Sequence, residues 1–566
     1  MRKARGALVS DALTFPGHSE APGYASGHPL ATPAGRRRME QVGYDAAVFR
    51  ILLSLLFACG GSPEPTPPPA VATPAIEPEP APPPTPSRPN VLVVLWDTVR
   101  ADRMSLYGHS RPTTPALDAL AAEARVWEHA VSPGMWTVPV HASLFTGLHP
   151  ATHGASAKWI WLNGHHDTLA ERLGEAGYST WAGSSNPYLS PSTNLLQGFG
   201  TVQLAWDGPL ADATAAATRA KLIAEDRSVS VAPGWAASGR KGWPEHLTVH
   251  KDGSPVLVDS LLEWVDQTDG PWFAYVNLLE AHHPRLPSMA SRNAVLTPAE
   301  VTAGLSTDGS LFRLMSAMEG VVEVSEGDRE AIAGVYDATL RDLDTATAAL
   351  VAGLRDRGLL DDTLLVITSD HGEHLGEHER WDHRWSVYEP LVHVPLLVRH
   401  PSIPAGRVAD TTSTLDLFGT ILDTAGAPLP PGTRRLTDPP AEHVHTSLAQ
   451  PTPRLPSVRE AWPDLLARWG ERYHAVYEGN WKLLRVSNGH HELYNLETDP
   501  GELAPQTDDD AKIVGRRLNR VGKQWTTHLD KPNPGLRTPD DNPTNALAPT
   551  DPARQQLEIL GYTEGE

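Results

Sequence analysis

Asn90-Val91-Leu92-Val93-Val94-Leu95 is an unbroken apolar run with no polar alternation. A strand with one wet face alternates, and an amphipathic helix repeats every three to four residues. This run does neither, so it reads as a strand buried on both faces of a parallel sheet. Trp272-Phe273-Ala274-Tyr275-Val276, Thr363-Leu364-Leu365-Val366-Ile367 and Val394-Pro395-Leu396-Leu397-Val398 have the same texture. Helical patterns lie between them. Pro115 to Arg125 carries Leu117, Leu120 and Ala121 at helical spacing, and Asp328 to Arg357 carries Ile332, Val335, Leu340, Leu343 and Leu350 on one side. Strands alternating with helices predict an α/β fold with a large, mostly parallel sheet flanked by helices. Near Arg472 the texture changes to short runs at 473–477, 481–485 and 492–496 around Gly479-Asn480 and Asn488-Gly489. These predict antiparallel strands, followed by a helix over 509–529, in a small C-terminal α+β subdomain.

The segment ahead of Asn90 cannot build a core. Ala46 to Ala58 is a short apolar run broken by Arg50, too short to span a bilayer and suited to a signal-peptide core. Leu56-Phe57-Ala58-Cys59 resembles a bacterial lipobox, with Phe57 where that pattern prefers a small residue. Cys59 is the single cysteine among 566 residues, so neither an intrachain disulfide nor a cysteine zinc site is available. The expectation is an exported lipoprotein facing the periplasm or cell surface, touching the membrane through its lipid anchor only, with Met39 as a start site. Residues 62–89 are almost half proline, an extended tether. The expected organisation is leader and lipobox over 1–59, linker over 60–89, catalytic domain over 90–440, C-terminal subdomain over 441–530 and a loose tail over 531–566. A net charge of -21 argues against a nucleic-acid partner.

Open α/β sheets place ligands beyond the C-terminal ends of their strands. Three of the buried runs end in metal-competent residues: Asp97 after the first, Asp370-His371 with Glu373 after the third, and Glu280, His282 and His283 after the run at Trp272. An Asp after one strand is ordinarily a turn or cap residue. Several such ends in one sheet converge on a shared site. Trp136 to Gly147 adds a hydroxyl, Thr137, after the loop Ser132-Pro133-Gly134 and at the start of an expected helix. Free N–H groups and the positive dipole end there suit attack on an anion.

These segments resemble the sulfatase family of the alkaline phosphatase superfamily. Val93-Val94-Leu95-Trp96-Asp97-Thr98-Val99-Arg100-Ala101-Asp102 is similar to its first metal strand. Ser369-Asp370-His371-Gly372-Glu373, with Gly376-Glu377-His378, is similar to its second, and Glu492-Leu493-Tyr494-Asn495-Leu496 through Glu502 to its C-terminal subdomain. The nucleophile pattern is Cys or Ser, any residue, Pro, any residue, Arg, then Ala-Ser-Leu-Leu-Thr-Gly. Thr137 stands at the Cys or Ser, and His141 at the Arg. The resemblance implies an alkaline-phosphatase-like fold and one divalent metal held by Asp97, Asp370, His371 and the Thr137 oxygen. Oxygen-rich ligands favour calcium or magnesium, and one imidazole admits manganese or zinc. It also implies His282 as a substrate contact, His383 as the leaving-group residue, and His141 as a group orienting Thr137 or meeting metal-bound oxygens. Trp96 replaces a second Asp found in many members, as in phosphonate monoester hydrolases. Asn186 lies where the family has a Lys-bearing loop.

Formylglycine, the sulfatase nucleophile, is made from Cys or Ser; the extra methyl of Thr blocks the aldehyde. Thr137 is therefore expected to act as a plain alkoxide. That argues for phosphorus chemistry, while the texture of the chain is closest to sulfatases. The leading expectation is a metal-dependent hydrolase of sulfate or phosphate/phosphonate esters, small or polymer-borne. One alternative is a two-metal phosphodiesterase or phosphotransferase using Glu280, His282 or His283 and His383. Another is a non-catalytic surface lipoprotein.

Overall fold

The computed structural model describes residues 88–157, 159–224, 251, 253–448, 465 and 469–529. The leader, Cys59, the tether, much of the 211–243 stretch and the tail lie outside them.

Ten strands form the catalytic region in chain order: β1 (Asn90–Trp96), β2 (Arg125–Val131), β3 (Ser179–Ser184), β4 (Thr201–Leu204), β5 (Trp272–Leu278), β6 (Thr363–Ser369), β7 (His374–Leu375), β8 (Trp381–Asp382), β9 (His393–Arg399) and β10 (Gly406–Ser413). Eight of them make one sheet in the order β10-β2-β9-β6-β1-β5-β3-β4, and β7 pairs with β8 in a separate hairpin. β1 lies at the centre, parallel to β5 and β6. Only β9 runs against its neighbours, antiparallel to β6 and β2.

The unbroken apolar run of β1 follows from two covered faces. Val91, Val93 and Leu95 enter one core, shared with Val138, Ala142 and Phe145 of the helix Thr137–Thr146 and with Phe418 and Ile421 of the helix Asp416–Thr424. Leu92, Val94 and Trp96 enter the other, against Leu340, Leu343 and Leu350 of the helix Glu326–Asp356 and Leu257 and Leu261 of the helix Gly253–Asp266. Ser325 caps the long helix, its Oγ accepting from the Asp328 N–H.

The remaining strands, β11 (Val444–Leu448), β12 (Tyr473–Glu478), β13 (Trp481–Val486) and β14 (His491–Asn495), form an antiparallel sheet. One face packs on the helix Asp509–Leu529 through Val476, Leu483, Leu493, Ala511 and Leu518. On the other face Ala475, Tyr477, Leu484 and Tyr494 join the core of the large sheet.

One sequence expectation shifts in detail, and one stretch without a sequence reading gains structure. The helix expected over 115–125 is an α-turn pair, Pro115–Leu120, with a 3-10 turn to Glu123, because Arg125 already opens β2. The stretch from Pro284 to Gly327 carries three short helices, Met289–Val295, Pro298–Ser306 and Leu311–Met318. No helix among the described residues is long and apolar enough to cross a membrane.

Candidate active site

The central strands deliver their polar ends to one place. Asp97, Asp370 and His371 gather with ligand atoms within 4.8 Å of one another, and all three are fully buried. Asp97 Oδ2 accepts from Asn186 Nδ2 at 2.8 Å and from Asn277 Nδ2 at 3.1 Å, leaving Oδ1 without a partner. Asp370 Oδ1 accepts from the N–H groups of His371 and Thr98, leaving Oδ2 without a hydrogen bond. His371 Nδ1–H donates to Gly372 O at 2.9 Å, and its Nε2, 3.2 Å from Asp370 Oδ2, is the third buried atom without a hydrogen bond. Backbone capture of one imidazole nitrogen fixes the tautomer and aims the other as a ligand. Two carboxylate oxygens and one imidazole nitrogen, all dry, without a hydrogen bond and gathered at one point, fit a divalent cation. Without that cation the carboxylates perturb one another. Burial and the charge of Asp370 raise Asp97 to about 6, while the Asp370 carboxylate raises His371 to about 9 against the cost of burial.

Thr137 is the first residue of its helix. Trp136 precedes it in extended conformation, and no side chain caps the first turn, so the turn's N–H groups remain available to an anion. Pro139 is tolerated because a third-position N–H has no intrahelical partner to lose. Thr137 Oγ1 lies 3.4 Å from Asn186 Nδ2, linking it through one amide to Asp97. His141 stands one turn on. Its Nδ1–H donates to Thr137 O at 2.8 Å, and its Nε2 accepts from the Tyr275 hydroxyl at 2.7 Å. Its Nδ1 is also 3.7 Å from Asp370 Oδ2. His141 therefore ties the Thr137 turn to β5; burial holds its pKa below the usual value.

His383 follows β8. Its ring centroid is 4.4 Å from that of His371 and 5.2 Å from that of His282, which places it between them. Its Nδ1 is 3.1 Å from Asp382 Oδ1 and 3.3 Å from Glu373 Oε1. Arg285 holds Glu373 at 2.7 Å, and Arg384 holds Asp382. Glu373, Asp382 and His383 thus form a second buried cluster beside the first. His282 donates from Nδ1 to His283 O, and burial followed by the His383 and Lys251 charges keeps it neutral. Lys251, itself buried, donates to the carbonyls of Leu279 and His282. Glu280 accepts from the Ser254 N–H and hydroxyl, and the cluster around His383 is made by Glu373 and Asp382.

The structure thus brings Asp97, Thr137, His141, His282, Asp370, His371 and His383 into one buried region. Asn186, noted in the sequence only for its place in the family's Lys-bearing loop, joins them, as do Asn277, Lys251 and Arg285 without a signal in the sequence. Asn186, after a strand, reads as a turn residue, Asn277 lies within the apolar run of β5, and Lys251 sits in no recognisable pattern.

The match to known proteins runs over the same segments. Residues 89–427 match the family model Sulfatase. Arylsulfatase K of Bos taurus is 29% identical over 188 residues, 32% of this chain and 34% of that protein. The Xenopus laevis arylsulfatase K is 22% identical over 467 residues, 79% of this chain and 83% of that one. The match therefore spans about a third of the first relative's length and most of the second's. Among solved structures, the phosphonate monoester hydrolase of Agrobacterium radiobacter superposes with TM-score 0.58 at 21% identity, covering 78% of this chain and 96% of its own. A protein bound to its substrate D-glucosamine-2-N,6-O-disulfate superposes with TM-score 0.57 at 16% identity, covering 80% and 100%. With the family model spanning more than half of its residues, this chain belongs to the sulfatase family, whose members are hydrolases of ester bonds.

Proposed function

We propose that the protein hydrolyses a sulfate or phosphonate-type ester with Thr137 as nucleophile and one divalent metal. The observation that carries this is the uncapped turn at Thr137, hydrogen-bonded through Asn186 to Asp97 of the buried Asp97–Asp370–His371 cluster. A cation held by Asp97, Asp370, His371 and the Thr137 oxygen supplies charge that favours the alkoxide and offsets the ester's negative oxygens. Calcium or magnesium suits the oxygen donors; manganese or zinc suits the imidazole.

The chain's own residues do the rest. The ester's non-bridging oxygens face the N–H groups of the Thr137 turn, and Oγ1 gives up its proton to a water molecule as it bonds to sulfur or phosphorus. The bond to the leaving oxygen breaks, and His383 hands that oxygen a proton. Glu373 and Asp382 fix its ring for this role. Water then cleaves the Thr137 ester and releases the inorganic or phosphonate product. A plain threonine favours phosphorus, since a threonine sulfate has no neighbouring hydroxyl to expel it. The names of the relatives and the disulfated sugar of one structural neighbour support a sulfate ester, small or polymer-borne.

The test is a panel of aryl sulfate, phosphonate monoester and phosphodiester substrates, given to wild type and Thr137→Ala with each metal. The variant should lose turnover by about two orders of magnitude or more. Full activity in Thr137→Ala removes the nucleophile. One metal per chain is the expected stoichiometry, because guanidinium groups already neutralise Glu373 and Asp382. Two tightly bound zinc ions would favour the phosphodiesterase reading instead. Export and lipidation at Cys59 belong to the same proposal, resting on the sequence of the leader. Metabolic labelling with a radioactive fatty acid, lost in Cys59→Ala, is its test.

A further inference from the structure

Taking Thr137 as the nucleophile, we infer that Asn186 is a further catalytic residue, one that grips the attacking oxygen and aims the Asp97 carboxylate. Asn186 follows β3 in a closed turn. Its N–H donates to Ser184 Oγ, which donates back to the Asn186 carbonyl. The side chain is fully buried, and each of its polar atoms is engaged. Nδ2 lies 2.8 Å from Asp97 Oδ2 and 3.4 Å from Thr137 Oγ1, while Oδ1 accepts from the Tyr188 N–H at 2.9 Å.

A carboxamide has two N–H donors and one carbonyl. Asp97 takes one donor, Thr137 the other, and Tyr188 the carbonyl. The amide cannot be flipped, since that would set oxygen against the Asp97 carboxylate and N–H against N–H. It therefore keeps no hydrogen for the substrate. His141 is equally committed, to Thr137 O and Tyr275. Neither residue is arranged to read the ester; both serve the nucleophile.

Two effects follow from the amide. With Asn277, Asn186 occupies Asp97 Oδ2, so that Oδ1 is the oxygen presented to a cation. Its second hydrogen meets Oγ1, which is left to face the cation and the ester in its other directions. Negative charge grows on Oγ1 as the threonine attacks, so this long contact gains strength in the transition state. A donor stronger there than in the ground state raises kcat rather than affinity.

Asn186→Asp and Asn186→Ala separate this from a structural role. N186D retains an oxygen for the Tyr188 N–H and loses only the donors. N186A loses donors and anchor together. On the full chain, both variants should lower kcat by about 100- to 1000-fold with KM little changed. Calorimetry with manganese chloride should show N186D binding at least as tightly as wild type, because a carboxylate joins the ligand set. In a Thr137→Ala background, N186A should cost nothing further; this arm stands even where N186D does not fold.

N186D within threefold of wild type, with N186A impaired, would reduce Asn186 to a loop anchor. N186D restored by excess manganese would make it a metal-retention residue alone. Both outcomes overturn the inference and leave Thr137 in place. Wild type inactive on every ester would overturn the functional reading itself, and this one with it.

Discussion

A Cβ placed on Gly372 would lie 2.0 Å from Pro390 O, which makes this position intolerant of any side chain. The cause is local. The Gly372 and Glu373 N–H groups donate to the Leu391 and Pro390 carbonyls, pressing the loop after β6 onto the short helix Glu389–Val392. The Gly372 carbonyl in turn fixes the His371 tautomer. Gly372→Ala should weaken metal binding tenfold or more by turning His371 away, read by calorimetry on the purified variant. At His383 the expected effect is selective. His383→Ala should slow esters of poor leaving alcohols by about 100-fold and spare esters of nitrophenol, which leaves without a proton. Equal losses across leaving groups would give His383 another role. Asp97, Asp370 and His371 were legible because each ends an apolar run, where a polar residue must face a ligand or solvent. The hydrogen-bonding commitments of His141 were not legible, since its partners Thr137 O and Tyr275 come together only through the packing of a helix on β5.

Between elements, the C-terminal sheet is fastened to the metal-strand loop by a buried ion network. Lys482 of β13 donates to Val387 O and pairs with Glu389 at 2.8 Å and Glu502 at 2.7 Å. Tyr477 of β12 also donates to Glu389. Lys482→Met would leave two buried carboxylates facing each other, at a cost of about 3–5 kcal/mol in chemical unfolding. A second contact makes the same sheet acid-sensitive. His445 and His474 share a hydrogen bond of 3.2 Å and stack on Trp525 of the last helix, with His149 meeting that ring edge-on. Arg485 lies beside His474, His443 beside His445 and His153 beside His149. Burial and the neighbouring positive groups depress all three histidines, His445 to about 4. An unfolded histidine takes up its proton near pH 6.5, while these stay neutral in the fold. The contribution of these three histidines should therefore be level above pH 6.5 and fall as pH drops toward 4, by about 1.4 kcal/mol for each unit of depression. The Tm of wild type at pH 5 should lie below that at pH 7.5, with a smaller drop in His445→Phe. The sequence showed turns and strands here, but not that these histidines meet one helix.

At the scale of the molecule, alternation of apolar runs with helices was enough to give the parallel sheet, and the order of motifs its type. β2, β3, β4 and β10 were harder to see. β10 lies at an edge with much of its length exposed, and β3 carries Ser, Thr and Gly where an unbroken apolar run would have marked it. Nor does the sequence show that Tyr473, Ala475, Leu484 and Tyr494 complete the same core as Val91 and Val93. Removal of residues 441–566 should therefore leave an apolar face bare and give aggregated protein, read by light scattering of the expressed fragment.

Thr137, His371 and His383 all stand at or below 2% exposure. Enclosure of this kind decides which acceptor completes the reaction. On the proposed mechanism, a threonine carrying the acid group would be shielded from bulk solvent, and the competitor for that group would be whatever molecule fits beside His383. A small alcohol that enters as readily as water would leave as a newly esterified product, so the ratio of hydrolysis to transfer reports the room around the nucleophile rather than its reactivity.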